Sequence, residues 1–194
     1  MQYDDFDMVE PIHADSFFSV SSTGEIHERL SFEYLDPEGH YRDVLSSEKL
    51  LADEITKLSS NMQYFLDLER VEINEEQVKS IVRYTDIFPK GATNIVAIVY
   101  LIDFGGVLQS GGNKIQTWLE DEVAPYDFEI IWRFPVGTHI VEIDTKLQYD
   151  IYRDLVVLWA EEGSSVGGYE LMEFILPKRG FDTRHSKRNS KRKF

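Results

Sequence analysis

Apolar residues in this chain recur at every second position far more often than at every third or fourth. Ile26, Leu30, Phe32 and Tyr34 alternate with His27, Arg29, Ser31 and Glu33, the period-2 mark of a strand with one buried face. Phe17, Phe18 and Val20 lie on the other side of Ser21-Ser22-Thr23-Gly24, so residues 16–35 predict a hairpin. Asp36-Pro37-Glu38-Gly39 reads as the next turn, with proline presetting φ and glycine closing the fourth position.

One segment carries helical spacing. Leu51, Ile55 and Leu58 share a face, and Ser46 or Ser47 can cap it. A helix over 47–58 is expected, ended by Ser59-Ser60-Asn61. Beyond residue 61 the alternation returns in Met62, Tyr64, Leu66 and Leu68. Val71 and Ile73 follow one position out of phase, which predicts a bulge near Glu69-Arg70. Asn74-Glu75-Glu76 suggests a turn, and a strand is expected from Val78 through Ile87.

Pro89-Lys90-Gly91 breaks the pattern before the most apolar run, Asn94 to Phe104. Its length and β-branching predict a central strand buried on both faces. A further strand from Lys114 is expected to enter an acidic loop at Glu120-Asp121-Glu122. Later strands are expected over 126–134, 140–143, 155–159 and 169–176. With about ten strands, one helix and turn signals at roughly 8–12-residue spacing, the expected class is mainly β. The expected architecture is a single antiparallel β-sandwich over 16–177, similar in layout to immunoglobulin-like or fibronectin-like sandwiches. An acidic lead-in over 1–15 precedes it.

Composition narrows the chemistry. The 194 residues include no cysteine, which removes disulfides, thiolate metal sites and cysteine nucleophiles together. No apolar run approaches the roughly 18 residues of a membrane span. Met1 to Asp15 holds five acids and no Lys or Arg, unlike a secretory or transit peptide. A cytoplasmic protein is expected, without membrane contact.

Charge is unevenly placed. The net charge is −15, yet residues 178–194 carry eight Lys or Arg against Asp182 alone, a segment of +7. The other 177 residues hold a net −22. Lys187, Arg188, Lys191, Arg192 and Lys193 are the candidate contacts for an anionic partner, whether RNA, DNA or an acidic protein. The same arm could fold back on its own acidic body.

Several motifs fail on context. Gly163-Ser164-Ser165-Val166-Gly167 spells a nucleophile elbow, but a strand pattern follows where a helix is needed. A glycine-rich hairpin loop is the better expectation. Asp103-Phe104-Gly105 lacks the other parts of a kinase. Asp144-Thr145-Lys146, with Asp127 or Glu129, matches the acid-x-Lys element of metal-dependent nucleases only in spelling. Glu120-Asp121-Glu122 with Asp127 lacks the spacing of a calcium loop. His13, His27, His40, His139 and His185 never fall at metal-ligand spacing. Trp118, Trp132 and Trp159 are expected in the core, with the Trp132-Arg133-Phe134-Pro135 end the one candidate for an exposed aromatic.

The expected function is a non-enzymatic interaction or scaffold protein with no cofactor, catalytic residue or metal site, and with a protein partner. The alternative is a carboxylate-based, possibly metal-dependent hydrolase, with Asp103, Asp127, Glu129, Glu142 and Asp144 converging at strand ends. Convergence of two or more of these acids on one pocket would favour the alternative.

Overall fold

The computed structural model describes residues 9–91 and 94–177. The chain is mainly β and sandwich-like. It opens with the hairpin β1 (Glu10–Val20) and β2 (Glu25–Leu35), then the helices α1 (His40–Leu45) and α2 (Glu48–Leu68). Next come β3 (Arg70–Ile73), β4 (Glu76–Val78), β5 (Ile81–Pro89), β6 (Ile95–Gly105) and β7 (Gly112–Val123). The last strands are β8 (Phe128–Arg133), β9 (His139–Asp144), β10 (Gln148–Tyr152), β11 (Leu155–Ala160) and β12 (Ser165–Ile175). β1 begins at Glu10, inside the stretch read as an acidic lead-in.

Two sheets result. The larger has the order β10-β11-β8-β1-β2-β6-β5 and the smaller β4-β3-β7-β12-β9. Neighbours pair antiparallel except β1 with β8, which run parallel from Ala14 opposite Phe128 to Ser19 opposite Arg133. The hairpin turn of β1 and β2 depends on Gly24, whose φ is +99° and whose Cβ would stand 1.8 Å from the Gly106 carbonyl oxygen.

The inner face of the larger sheet is divided between two covers. Under the smaller sheet, Val20, Ile26, Trp132, Val156 and Leu158 meet Ile73, Ile115, Met172 and Phe174. Phe18 stacks on Trp132 with centroids 3.9 Å apart. Under α2, Val96, Ile98, Tyr100 and Ile102 of β6 and Ile87 of β5 meet Leu51, Ile55, Leu58, Met62 and Leu66. β6 is buried on both faces from Val96 to Tyr100, as its composition predicts.

That second cluster corrects the helix. α2 runs 21 residues, not the expected 12, and a second helix, α1, precedes it. Met62 and Leu66 continue the 51-55-58 face by steps of four, so the same residues satisfy both periods. Ser59-Ser60-Asn61 is not a stop, because Ser60 Oγ donates back to the Thr56 carbonyl at 2.8 Å. The phase slip at Glu69-Arg70 is the junction of helix and strand, and no bulge is needed. Ser47 is the N-cap, its side chain accepting from Leu50 N.

α1 is held from outside itself. Gly39, at its N-cap position, adopts a left-handed conformation and offers no side chain. The buried Asp36 carboxylate accepts from His40 N at 2.8 Å and Tyr41 N at 3.0 Å. α2 is pinned to the start of β5 by Gln63, whose amide donates to Ser80 O at 3.0 Å and accepts from Val82 N at 2.9 Å. Twelve strands occur among the described residues, and Glu120-Asp121-Glu122 lies within β7, where the expectation was a loop. Among the described residues no helix is long and apolar enough to cross a membrane.

Candidate functional site

The two covers of the larger sheet do not meet cleanly. Where the C-terminal end of α2 approaches the smaller sheet, a cleft of about 360 Å³ opens. Its apolar lining comes from Phe65 and Leu68 of α2, Leu119 of β7, Phe128 and Ile130 of β8, and Val166 of β12. Phe65 and Leu68 are exposed by 59% and 67%, although a helix of this amphipathic kind normally turns such residues inward. They line the cleft and take no part in the cluster under α2.

The polar lining is uniformly acidic: Glu69, Glu120, Glu122 and Glu170. Burial pushes the Glu69 carboxyl above its ordinary value. Burial also raises Glu170, against a 2.7 Å hydrogen bond from Thr145 Oγ1 and the nearby Lys146. Behind the cleft, Glu28 of β2 sits in register between Phe18 and Ile102. Burial raises its pKa to about 7, a hydrogen bond from Ser16 Oγ at 2.7 Å opposes this, and Glu69 adds repulsion. Glu28, Glu69 and Glu170 are poorly solvated, so a positive charge brought to their ionised forms would be favoured, while Glu120 and Glu122 are exposed.

The cleft wall is shaped by a bulge in the pairing of β12 with β7 between Val166 and Gly168. Gly167 has φ +77°, and a Cβ there would stand 2.0 Å from the Glu120 carbonyl oxygen. Trp118 borders the cleft, its ring covered by the Arg70 guanidinium 4.3 Å from the centroid. Arg70 is in turn held by Glu72 at 2.5 Å. Nearby, Lys146 is bound to Asp121, which leaves the four lining carboxylates without a paired cation among the described contacts.

The acids named from the sequence lie elsewhere. Asp103 accepts from His27 Nδ1 at 2.7 Å and Arg83 Nε at 3.1 Å on the uncovered face of the larger sheet. The bonds from His27 and Arg83 hold its carboxyl below the usual range. Asp127 accepts from Glu162 N at 2.8 Å and so closes a loop. Glu129 pairs with His13 at 3.2 Å. Glu142 is exposed opposite Glu173, and Asp144 ends β9. No two of the five line a common pocket among the described residues. No described group of three His, Asp or Glu is placed to hold a metal.

The other motifs are structural in their surroundings. Gly163 to Gly167 joins β11 of one sheet to β12 of the other, so it is a crossover and not the expected hairpin. Its Ser164 carbonyl accepts from Ala124 N at 2.8 Å. Trp132 and Phe134 are buried, so that strand end presents no aromatic, and exposed aromatics stand instead on α2 (Tyr64, Phe65), β1 (Phe17), β5 (Tyr84, Phe88), β10 (Tyr149, Tyr152) and β12 (Tyr169). Lys187, Arg188, Lys191, Arg192, Lys193 and His185 lie outside the described residues.

Glu28, Glu69, Glu170, Phe65 and Leu68 were not singled out by sequence. Phe65 was the one usable signal: it breaks the 51-55-58-62-66 face and is an exposed aromatic once that face is drawn as helix.

No protein-family model matches the chain, and no curated protein matches it in sequence. Among solved structures it is similar to a candidate protease of Parabacteroides distasonis, at 10% identity and a TM-score of 0.31. The match covers 88% of this chain and 41% of that one. The chain thus spans about two fifths of that protein's length. A likeness so faint carries no argument about chemistry.

Proposed function

We propose that this chain is a non-enzymatic interaction protein whose acidic body binds a cationic, partly apolar segment of a partner protein in the cleft beside α2. The observation that carries the reading is the pairing of an apolar floor with four carboxylates and no lining cation. Apolar contact supplies affinity there, while the carboxylates select positive charge and reject acidic segments. The basic C-terminal residues, Lys187, Arg188, Lys191, Arg192 and Lys193, serve as the contact for an anionic partner. The hydrolase alternative finds no support in where its five acids stand.

Calorimetric titration tests the proposal with two synthetic 12-residue peptides, one of alternating Lys and Phe and one of alternating Glu and Phe. The Lys peptide is expected to bind, with affinity falling as salt rises past the point where screening reaches contact distances. The exposed pair Glu120→Gln with Glu122→Gln is expected to weaken it about tenfold, the effect of removing roughly 1.4 kcal/mol of attraction. Equal binding of both peptides, or indifference to the double substitution, would refute the reading.

A further inference from the structure

We infer that the cleft beside α2 is occupied, in the absence of a partner, by this chain's own basic C-terminal segment, residues 178–194. The inference rests on the cleft reading above and names the occupant that competes with any outside one.

Charge matches. The segment carries +7 in 17 residues and ends in Phe194, while the cleft offers Glu69, Glu120, Glu122 and Glu170 around an apolar floor. No other stretch of the sequence is so basic, since the remaining 177 residues hold a net −22.

Reach matches too. The cleft uses the first half of β12, at Val166, Gly167 and Glu170. Pro177 lies seven residues beyond Glu170. At about 3.3 Å per residue the segment leaves the fold roughly 23 Å from Glu170 and 36 Å from Val166. Lys187 is ten residues past Pro177 and Lys193 sixteen, so an extended chain carries them up to about 33 and 53 Å. The cluster Lys187 to Lys193 therefore spans the distances needed to double back onto the cleft without full extension.

Tethering makes a weak contact sufficient. A tether holds its end at an effective concentration of about 1 mM, so a contact with an intrinsic Kd of only about 100 μM keeps the cleft occupied and weakens any free ligand roughly tenfold. The cleft is then shielded until a better cationic segment arrives or an anionic partner withdraws the arm. Anion binding by the arm and cation binding by the body become linked, each favouring the other.

The test compares the full chain with a full-length variant in which Lys187, Arg188, Lys191, Arg192 and Lys193 are all replaced by Gln. A fluorescent peptide of residues 184–194 is titrated into each. The variant is expected to bind it about tenfold more tightly than the unmodified chain, as the loss of the tethered competitor requires. Equal affinity in the two would overturn the inference and leave the cleft reading standing. Absence of binding to both would overturn the two together.

Location is read separately. The chain has no cysteine, so Ser190→Cys carries a single nitroxide label. Amide signals of Leu119, Val166 and Gly167 are expected to broaden, and to stay broadened on tenfold dilution. Broadening elsewhere on the body, or broadening lost on dilution because a second copy supplies the arm, would overturn it.

Discussion

Replacing Glu28 by Gln should make the protein's stability less sensitive to pH between about 4.5 and 7, the ordinary and shifted values of that carboxyl. Glu28 is half-buried, faces the divided interior of the larger sheet, and lies near Glu69. Its folded-state pKa is raised, so the folded protein holds a proton that the unfolded chain releases. Below about 4.5 both states hold it and stability is unaffected. As pH rises from there to about 7 the unfolded state alone gains charge, and stability falls; above about 7 the loss is complete. At about 1.4 kcal/mol per pH unit, the interval from 4.5 to about 7 corresponds to roughly 3 kcal/mol. Gln keeps the shape and still accepts from Ser16 Oγ, but has no charge to bury. Urea denaturation at pH 5 and pH 8 should therefore show a substantially smaller decline in the Gln variant. Glu69 and Glu170 are raised in the same direction, so a residual slope of the same sign is expected to survive. An unchanged decline between the two pH values would refute the burial of this carboxylate.

Three further outcomes follow from local geometry. Asp36→Ala removes a buried carboxylate that satisfies two α1 amides and should cost about 2 kcal/mol in urea denaturation, with Asp36→Asn losing about half as much. Gln63→Ala frees Ser80 O and Val82 N, and hydrogen exchange should show the Val82 amide losing protection while β6 amides keep theirs. Glu75→Gly should raise stability by about 0.5–1 kcal/mol, because Glu75 sits at φ +71° in the two-residue turn after Ile73 and its ion pair with Lys114 is exposed.

Strands were legible by two marks, alternation where one face is buried, as in β2, and a continuous apolar run where both are, as in β6; β10, exposed along its length, carries neither. β2 and β6 are read directly from Ile26-to-Tyr34 and Ile95-to-Phe104. α2 was half legible. From Met62 to Leu68 every second residue is apolar, and so is every fourth, and only the packed partners Val82 and Ile102 decide which period is in use. α1 carries six residues and borrows its cap from Asp36, four positions ahead of His40; no capping pattern of the usual spacing marks it. The cleft was not legible at all, since Glu69 caps the end of α2 while Glu122 lies on β7 and Glu170 on β12, and only the packed fold brings them to one place. The five acids chosen from strand ends failed for the complementary reason. Position at a strand end says nothing about which face or partner a side chain takes, and Asp103 and Glu129 each find a basic neighbour on an adjacent strand.

The central claim is that cations are received at one place, the cleft between α2 and the smaller sheet. Amide shifts recorded while the Lys-Phe peptide is added to the chain whose five basic C-terminal residues are Gln test it most directly. The account predicts that the largest shifts cluster at Leu68, Leu119, Val166, Gly167 and Glu170, with little change around Asp103 and Glu142. Shifts spread evenly over the acidic surface, or centred on the uncovered face near Asp103, would contradict it.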